Sequence, residues 1–303
     1  MNILGKRYFF FALSLIIILP GLFILFTGGL PLSIDFTGGS LLEVTFSDTS
    51  PDTEDIIAVY DDNNIKDVQV QTTEAGSFII RSQFLENEVR DSVLLALEEA
   101  ISKPEVVRFD SVGPSIGQQV TSRGAQAVAI ASILVVLFIA WSFRGVQNAF
   151  RYGISAILAM LHDVALIFSV TAIGSKFLGW EIDSLFLTAL LTVIGFSMQD
   201  SIVVFDRIRE NSTIHRRLEF ETLVNHSIVQ TLQRSINTQL MTVEFLLLAL
   251  AMFGGVTLQE FAIILLVGLL SGTYSSIFIA APILVVWEKQ EWKTWFRRKG
   301  ATA

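Results

Sequence analysis

Residues 184–211 read SLFLTALLTVIGFSMQDSIVVFDRIREN, and this stretch decides what kind of protein the chain forms. From Ser184 to Phe205 it carries a single charged residue, Asp200, and then closes in a charged rim of Asp206, Arg207, Arg209 and Glu210. A helix of this length, at about 1.5 Å per residue, crosses the roughly 30 Å of a bilayer's hydrocarbon. A charge near mid-bilayer costs about 2.5–3.5 kcal/mol on insertion scales, which makes Asp200 a functional candidate from the outset. Asp200 comes with Gln199 and Ser201 as supporting polar neighbours. Arg207 follows seven residues later, nearly two turns on, so it shares a helix face with Asp200 and stands where it can hold the carboxylate ionised or release it. The commoner role for such residues is plainer: Arg207 and Arg209 as the positive flank of a span.

Working outward, the whole chain fits this reading. Its 303 residues are 52% hydrophobic and 17% charged, whereas a soluble domain carries about a quarter charged residues. Mean hydropathy is +0.59. Six stretches qualify as spans: Tyr8–Phe26, Ala125–Trp141, Gly153–Ile173, Ser184–Phe205, Ile236–Phe253 and Phe261–Trp287. The first follows Lys6 and Arg7 like a signal peptide, but its apolar run is too long and lacks a small-residue cleavage site, so it reads as an uncleaved span. There are no cysteines, hence no disulfide and no thiolate metal site, and His162, His215 and His226 are too scattered for a zinc cluster. A net charge of −8 speaks against nucleic acid as a partner.

Basic residues set the orientation. With the N-terminus inside, the inner segments hold 14 of the 21 lysines and arginines, so both termini are expected on the cytoplasmic side. The outer segment 27–124 holds 17 acids against six bases and is a domain rather than a linker. Alternation and turn residues predict strand Leu41–Ser47, helix Thr53–Asp61, strand Asp67–Thr73, a turn at Ala75-Gly76, strand Ser77–Ser82, helix Glu86–Ile101 ended by Pro104, and strand Glu105–Val112. That order, βαββαβ, is the ferredoxin-like unit. The expected architecture is therefore an α-helical polytopic membrane protein with six transmembrane helices and a small α+β ferredoxin-like extracytoplasmic domain between helices 1 and 2. Its parts are 1–26, the N-terminus and first span; 27–124, the outer domain; 125–287, the remaining spans; and 288–303, a basic cytoplasmic tail. Short connections, Leu30–Ile34 and Gly113–Gly124, tie the domain to its flanking spans.

Three acids lie within spans: Asp163, Asp200 and Glu244. Spacing puts Asp163 about 15 Å from the cytoplasmic side, Asp200 about 8 Å and Glu244 about 12 Å. Staggered carboxylates on opposed helices suit a proton relay; a protonated carboxyl hydrogen-bonded between helices, a structural clip, is the competing reading, and the stronger one for Glu244. Asn237, Thr238 and Thr242 are candidate interhelical hydrogen-bond formers, more often packing glue, and Gly268 and Gly272 form a GxxxG pair that allows close helix contact. Phe36-Thr37-Gly38-Gly39-Ser40 lacks the Gly-Lys-Ser/Thr of a phosphate loop, and the chain shows no nucleotide site. Gly195-Phe196-Ser197 is half of a nucleophile elbow, with Gln199 where the second glycine belongs. The chain is expected not to be an enzyme.

Several motifs together resemble the SecF family of protein-export membrane subunits. They are Ile34–Ser40 (IDFTGGS), Val112–Gly117 (VGPSIG), His162-Asp163, Ile194–Asn211 (IGFSMQDSIVVFDRIREN), Arg234–Thr238 (RSINT) and Gly272–Ile279 (GTYSSIFI), in order along the whole chain. The resemblance implies a partnership with SecD in a transporter of the resistance-nodulation-division type, six spans from each. It also implies association with the Sec channel (SecY, SecE, SecG) in the bacterial cytoplasmic (inner) membrane. The pair would use the proton motive force to draw an unfolded preprotein outward after an ATP-driven step, with protons as coupling ion and no other cofactor. The family's polar membrane residues correspond to Asp163, Asp200, Asp206 and Arg207. Glu244 departs from the pattern, where an apolar or hydroxyl residue is expected. A separate start with its own basic flank suggests a stand-alone subunit rather than a SecD–SecF fusion. Two rivals stand beside this reading: a proton-coupled exporter of small hydrophobic molecules, which the short outer loop Gly254–Glu260 makes hard to build, and a purely structural stabilising subunit.

Overall fold

A computed structural model describes residues 2–46, 51–73, 76–144, 148–239, 245–253 and 255–295. Glu244, Thr242, Ser47, Ala75 and the basic residues Arg297, Arg298 and Lys299 lie outside the described residues. The chain divides into two compact units, Met1–Pro31 with Ala127–Ala303, and Leu32–Gln126. The first unit opens with helix α1 (Arg7–Gly28).

The second unit begins with a one-turn helix α2 (Ile34–Thr37), capped by Ser33 Oγ, which accepts the N–H of Asp35 at 3.2 Å. Strand β1 (Gly39–Phe46), helix α3 (Thr53–Asp62), strands β2 (Gln69–Thr72) and β3 (Phe78–Ser82), helix α4 (Asn87–Ala100) and strand β4 (Pro104–Val112) follow. The four strands form one antiparallel sheet in the order β2-β3-β1-β4. Alternation in β1 turns Leu42 and Val44 inward, where they meet Ile56 and Tyr60 of α3 and Val93 and Leu97 of α4 in one core. Burial pushes the pKa of the Tyr60 hydroxyl upward, since the ionised phenolate is disfavoured away from water. Pro104, expected as a helix stop, is the first residue of β4, opposite Phe46, where a strand tolerates the missing N–H.

The glycines of FTGGS are backbone devices. Gly38 and Gly39 have φ of +74° and +130°, and a Cβ on Gly39 would sit 2.7 Å from the carbonyl oxygen of Ser82. Only glycine enters β1 by this route without strain. Gly39→Ala is expected to cost about 2–3 kcal/mol, read as faster limited proteolysis within residues 32–126 of the full chain. Unchanged cleavage kinetics would refute the strain.

In the first unit, α5 (Pro114–Ser142, shared with the domain) runs on to α6 (Ala149–Leu178), α7 (Ser184–Ile214), α8 (Phe220–Gln239), α9 (Phe245–Phe253) and α10 (Gly255–Ser275). A π-helical turn (Ser276–Ala280), α11 (Ala281–Glu288) and α12 (Trp292–Trp295) complete it. Among the described residues five helical stretches are long and apolar enough to cross a membrane: Leu4–Gly28, Pro114–Ser142, Ala149–Leu178, Ser184–Ile214 and Leu258–Glu288. The protein is multi-pass. Half or more of the last three is buried against protein, against 17% and 11% for the first two, so α6, α7 and α10 form the inner layer.

Two expectations change. The connection Gly113–Gly124 is helical from Pro114, a residue preorganised for a helix start, and continues unbroken into the span. The expected outer loop Gly254–Glu260 is helical from Gly255, because Thr257, Gln259 and Glu260 make the segment polar without breaking a helix. The fifth expected span, Ile236–Phe253, is divided between the end of α8 and the nine residues of α9, with 240–244 outside the described residues.

Ion pairs gather the ends of α1, α6, α8 and α11. Arg7 pairs with Glu291 and, at 3.0 Å, with Glu221; Lys289 pairs with Glu221 at 2.5 Å and Glu219 at 2.8 Å; Arg151 pairs with Glu288. Asn225 Oδ1 accepts the N–H of Ile3 at 2.8 Å. The Lys289 hydrogen bond, with Arg7 beyond it, holds the Glu221 carboxyl below its ordinary 4.5. A depressed carboxylate contributes stability that is present above its unfolded pKa and lost as pH falls through the lower folded value. Glu221→Gln is therefore expected to lower the detergent melting point by a few degrees at pH 7, about 1 kcal/mol. The difference should vanish well below pH 4.5; a pH-independent difference would mean that packing, not charge, is responsible.

Candidate functional site

The inner layer encloses a carboxylate surrounded by hydroxyls. Asp163, on α6, is 1% exposed. Its Oδ2 accepts hydrogen bonds from Ser197 Oγ of α7 at 2.5 Å and Ser275 Oγ of α10 at 2.6 Å, and its Oδ1 accepts from Ser271 Oγ of α10 at 2.6 Å. His162 Nδ1 lies 3.0 Å from the same Oδ1. Four donors fill the roughly four acceptor sites of a carboxylate. Serine hydroxyls can also turn and accept, so the same cage serves a protonated carboxyl without moving a heavy atom.

Close helix approach makes the cage possible. A Cβ on Gly272 would stand 3.1 Å from the Cα of Ser197, and one on Gly268 would stand 2.3 Å from a methyl of Val193. The GxxxG pair thus lets α10 lie against α7 at the height where Ser271 and Ser275 reach Asp163.

Asp200 lies one turn along α7 from Ser197 and is 5% exposed. Gln239 Nε2 of α8 donates to its Oδ2 at 3.5 Å, and the Arg234 cation of α8 acts on it through its field. A single turn of α10, residues 271–275, holds Asp163 through Ser271 and Ser275, and Ser197 of the same cage lies one turn from Asp200 on α7.

Arg207 is not brought to Asp200. It pairs with Glu210 at 2.5 Å, and Asp206 pairs with Arg209 at 3.3 Å, all four side chains at least a third exposed. Seven residues span 700° of helix, 20° short of two turns, so the face is shared, but the rim arginine points to its nearer acid. Asp206 and Arg207 instead line a cavity of about 670 Å³ together with Trp141, Glu210, Gln230 and Arg234.

Of the supporting residues, Ser201 is fully buried and its hydroxyl has no hydrogen-bond partner among the described residues. Gln199 is exposed, because it lies 100° round α7 from Asp200 on the side opposite Ser201, away from the packed face. Asn237 and Thr238 are likewise exposed on α8, whereas Ser235 and Gln239, four apart, face inward. Arg234 and Gln239 are the residues missed in the sequence. The signal was the RSINT segment continued one residue further as part of a helix with inward positions 231, 235 and 239.

Fold and site define a class, polytopic membrane proteins with carboxylates buried between helices, and comparison with known proteins narrows it. Residues 93–290 match the family "Protein export membrane protein SecD/SecF, C-terminal", and residues 23–50 match "SecD/SecF GG Motif". The chain is 60% identical to the protein translocase subunit SecF of Anaerolinea thermophila, with 98% of this chain and 97% of the relative aligned. It is 44% identical to that of Thermobaculum terrenum, covering 98% and 97%. The crystal structure of SecDF from Thermus thermophilus superposes with a TM-score of 0.81 at 32% identity, over 95% of this chain. This chain spans 39% of the length of that solved protein. It belongs to the SecD/SecF family, as a SecF.

Proposed function

We propose that this chain is the SecF-type subunit of a protein translocase, and that with SecD it uses the proton motive force to complete preprotein movement through the Sec channel (SecY, SecE, SecG) after the ATP-driven step. The family membership and the name of the relatives support the translocation role. In this reading the chain sits in the bacterial cytoplasmic (inner) membrane with six spans and both termini cytoplasmic, the outer unit is ferredoxin-like, and protons are the coupling ion of a protein that is not itself an enzyme.

The observation that carries the proton step is the turn of α10 that holds Asp163. A proton arriving at Asp163 changes which partner donates at Ser271 and Ser275, and both hydroxyls ride on one backbone segment. Protonation thereby acts on the contact of α10 with α6 and α7. One proton crossing 100 mV yields about 2.3 kcal/mol, enough to bias a two-state helix contact though not to unfold a preprotein.

The test is preprotein release in vesicles carrying the channel, SecD and this chain, with a proton gradient imposed after ATP is removed. Asp200→Asn is expected to abolish the gradient-dependent step, about tenfold or more, while the complex still copurifies. Export at the wild-type rate would favour the second reading, a structural subunit. That reading draws on the same saturated cage, since four hydrogen bonds around Asp163 also make a helix clip.

A further inference from the structure

The polar cage around Asp163 leaves one buried polar atom without a partner among the described residues. Ser197, Ser271 and Ser275 spend their hydroxyl protons on the carboxylate, and Ser275 is also tied by Gly272. His162 is the only one of the four partners with a second titratable atom. Its Nδ1 faces Asp163 Oδ1 at 3.0 Å, while its Nε2 is buried with no hydrogen-bond partner among the described residues. The side chain is 10% exposed. The ring lies nearly parallel to that of Tyr274, with centroids 6.1 Å apart, and the Tyr274 hydroxyl is fixed on α1, donating to the carbonyl of Phe10 at 2.9 Å and accepting from Ser14 at 3.3 Å. The imidazole thus has one nitrogen on the carboxylate and the other on the far side of the ring. A buried ring nitrogen without a partner costs free energy comparable to a lost hydrogen bond. A purely structural role for this side chain requires only the Nδ1 donor, which an asparagine supplies.

We infer that His162 is the group through which Asp163 exchanges its proton, Nδ1 serving the carboxylate and Nε2 serving water that enters from the far side of the ring. This rests on the proton-coupled reading above. An ionised carboxylate only accepts, so His162 then carries its proton on Nδ1. A hydrated proton delivers H⁺ to Nε2 and leaves as water; Nδ1 passes its own proton to Oδ1. The product is a neutral Asp163 carboxyl beside a neutral imidazole protonated on Nε2, with Nδ1 now accepting from the new O–H. One proton enters, one is transferred, and the reverse sequence unloads Asp163. The hydroxyls of Ser197, Ser271 and Ser275 rotate to suit either state. Among the described residues, the titratable groups that face the ring are Asp163 on its own helix and Tyr274 from α10. On the α1 side it meets no ionisable side chain, since Arg7 and Tyr8 are engaged with Glu221 and Glu291.

The experiment compares wild type, His162→Asn, His162→Gln and Asp163→Asn in the gradient-driven vesicle assay between about pH 5.5 and 8, the range in which an imidazole titrates. Asparagine places an amide donor where Nδ1 stands and has nothing at Nε2. His162→Asn and His162→Gln are both expected to lose about tenfold or more of the gradient-driven rate and to flatten its pH profile, with Asp163→Asn equally inactive. If His162→Asn works at the wild-type rate with the wild-type profile while Asp163→Asn is dead, His162 is only a strut and the inference falls alone. If Asp163→Asn is fully active, the proton-coupled reading at Asp163 falls and takes the inference with it. Should the histidine variants fail to fold, ¹⁵N-histidine NMR of a chain with the exposed His215 and His226 replaced by glutamine reads His162 directly. A proton that shifts from Nδ1 to Nε2 on acidification agrees with exchange; a proton fixed on Nδ1 throughout refutes it.

Discussion

Replacing Asp163 by asparagine is expected to stop gradient-driven transport while leaving the chain folded and bound to its partners, and replacing it by alanine is expected to lose the fold as well. The two variants separate charge from structure. Asparagine keeps the shape and keeps polar atoms for Ser197, Ser271, Ser275 and His162, whose hydroxyls can turn to accept from the amide. What it removes is the titratable oxygen. Alanine strands the buried hydroxyls of Ser197 and Ser271 and a ring nitrogen together, while Ser275 keeps the carbonyl of Gly272, and each unsatisfied buried group costs about 1–3 kcal/mol. Even partial relief through new pairing leaves several kcal/mol, a large share of a typical total of about 5–15 kcal/mol. Transport in vesicles and thermal melting in detergent measure the two effects on the same preparations. An alanine variant as stable as wild type would mean that water enters the cage freely; an asparagine variant that transports would remove Asp163 from the proton path.

The second large effect is steric. Gly272→Val is expected to separate α10 from α7 and to empty the cage without touching any polar atom. A bare Cβ at residue 272 already falls 3.1 Å from Ser197 Cα and 3.3 Å from its Cβ, tighter than ordinary van der Waals contact. Alanine asks for a shift of a few tenths of an ångström, whereas the two further methyls of valine need far more. Overpacking of this kind costs about 1–3 kcal/mol when the surroundings yield. Here they yield along the direction that stretches the 2.6 Å bonds from Ser271 and Ser275 to Asp163. Copurification with SecD, thermal melting and transport should fall together for valine, with alanine between valine and wild type. A valine variant that transports normally would show that the cage tolerates a wider helix spacing.

The fold was legible wherever one residue type dominates a period. Alternation in LLEVTF and the apolar face of Val93 and Leu97 gave strand and helix within a residue or two of where they lie. Long apolar runs matched five of the six expected spans among the described residues, but their ends were set too short, because a helix continues past the hydrocarbon into polar sequence such as Pro114–Gly124. The candidate site was legible in its acids and not in its partners. An aspartate inside a span is anomalous in any sequence, whereas Ser197, Ser271 and Ser275 are common residues whose meaning lies in three helices meeting at one height. Sequence spacing placed Arg207 on the face of Asp200 but could not show that Glu210 is nearer. Gln239 was passed over for Asn237 and Thr238 because inward and outward positions on α8, half polar along its length, cannot be told apart by composition.

The π-helical turn Ser276–Ala280 follows directly on Ser275. A π turn accommodates one residue more than an α turn, so everything beyond it is rotated by about 100° relative to an uninterrupted helix. The last span is therefore two cylinders in different phase. The first presents Ser271 and Ser275 to the carboxylate; the second presents Leu284 and Val285, both essentially unexposed, to its neighbours. The bulge reconciles two interfaces whose spacings do not fit a single α-helical repeat. Deleting one residue from it would leave both halves helical yet allow only one of them to meet its own interface at a time.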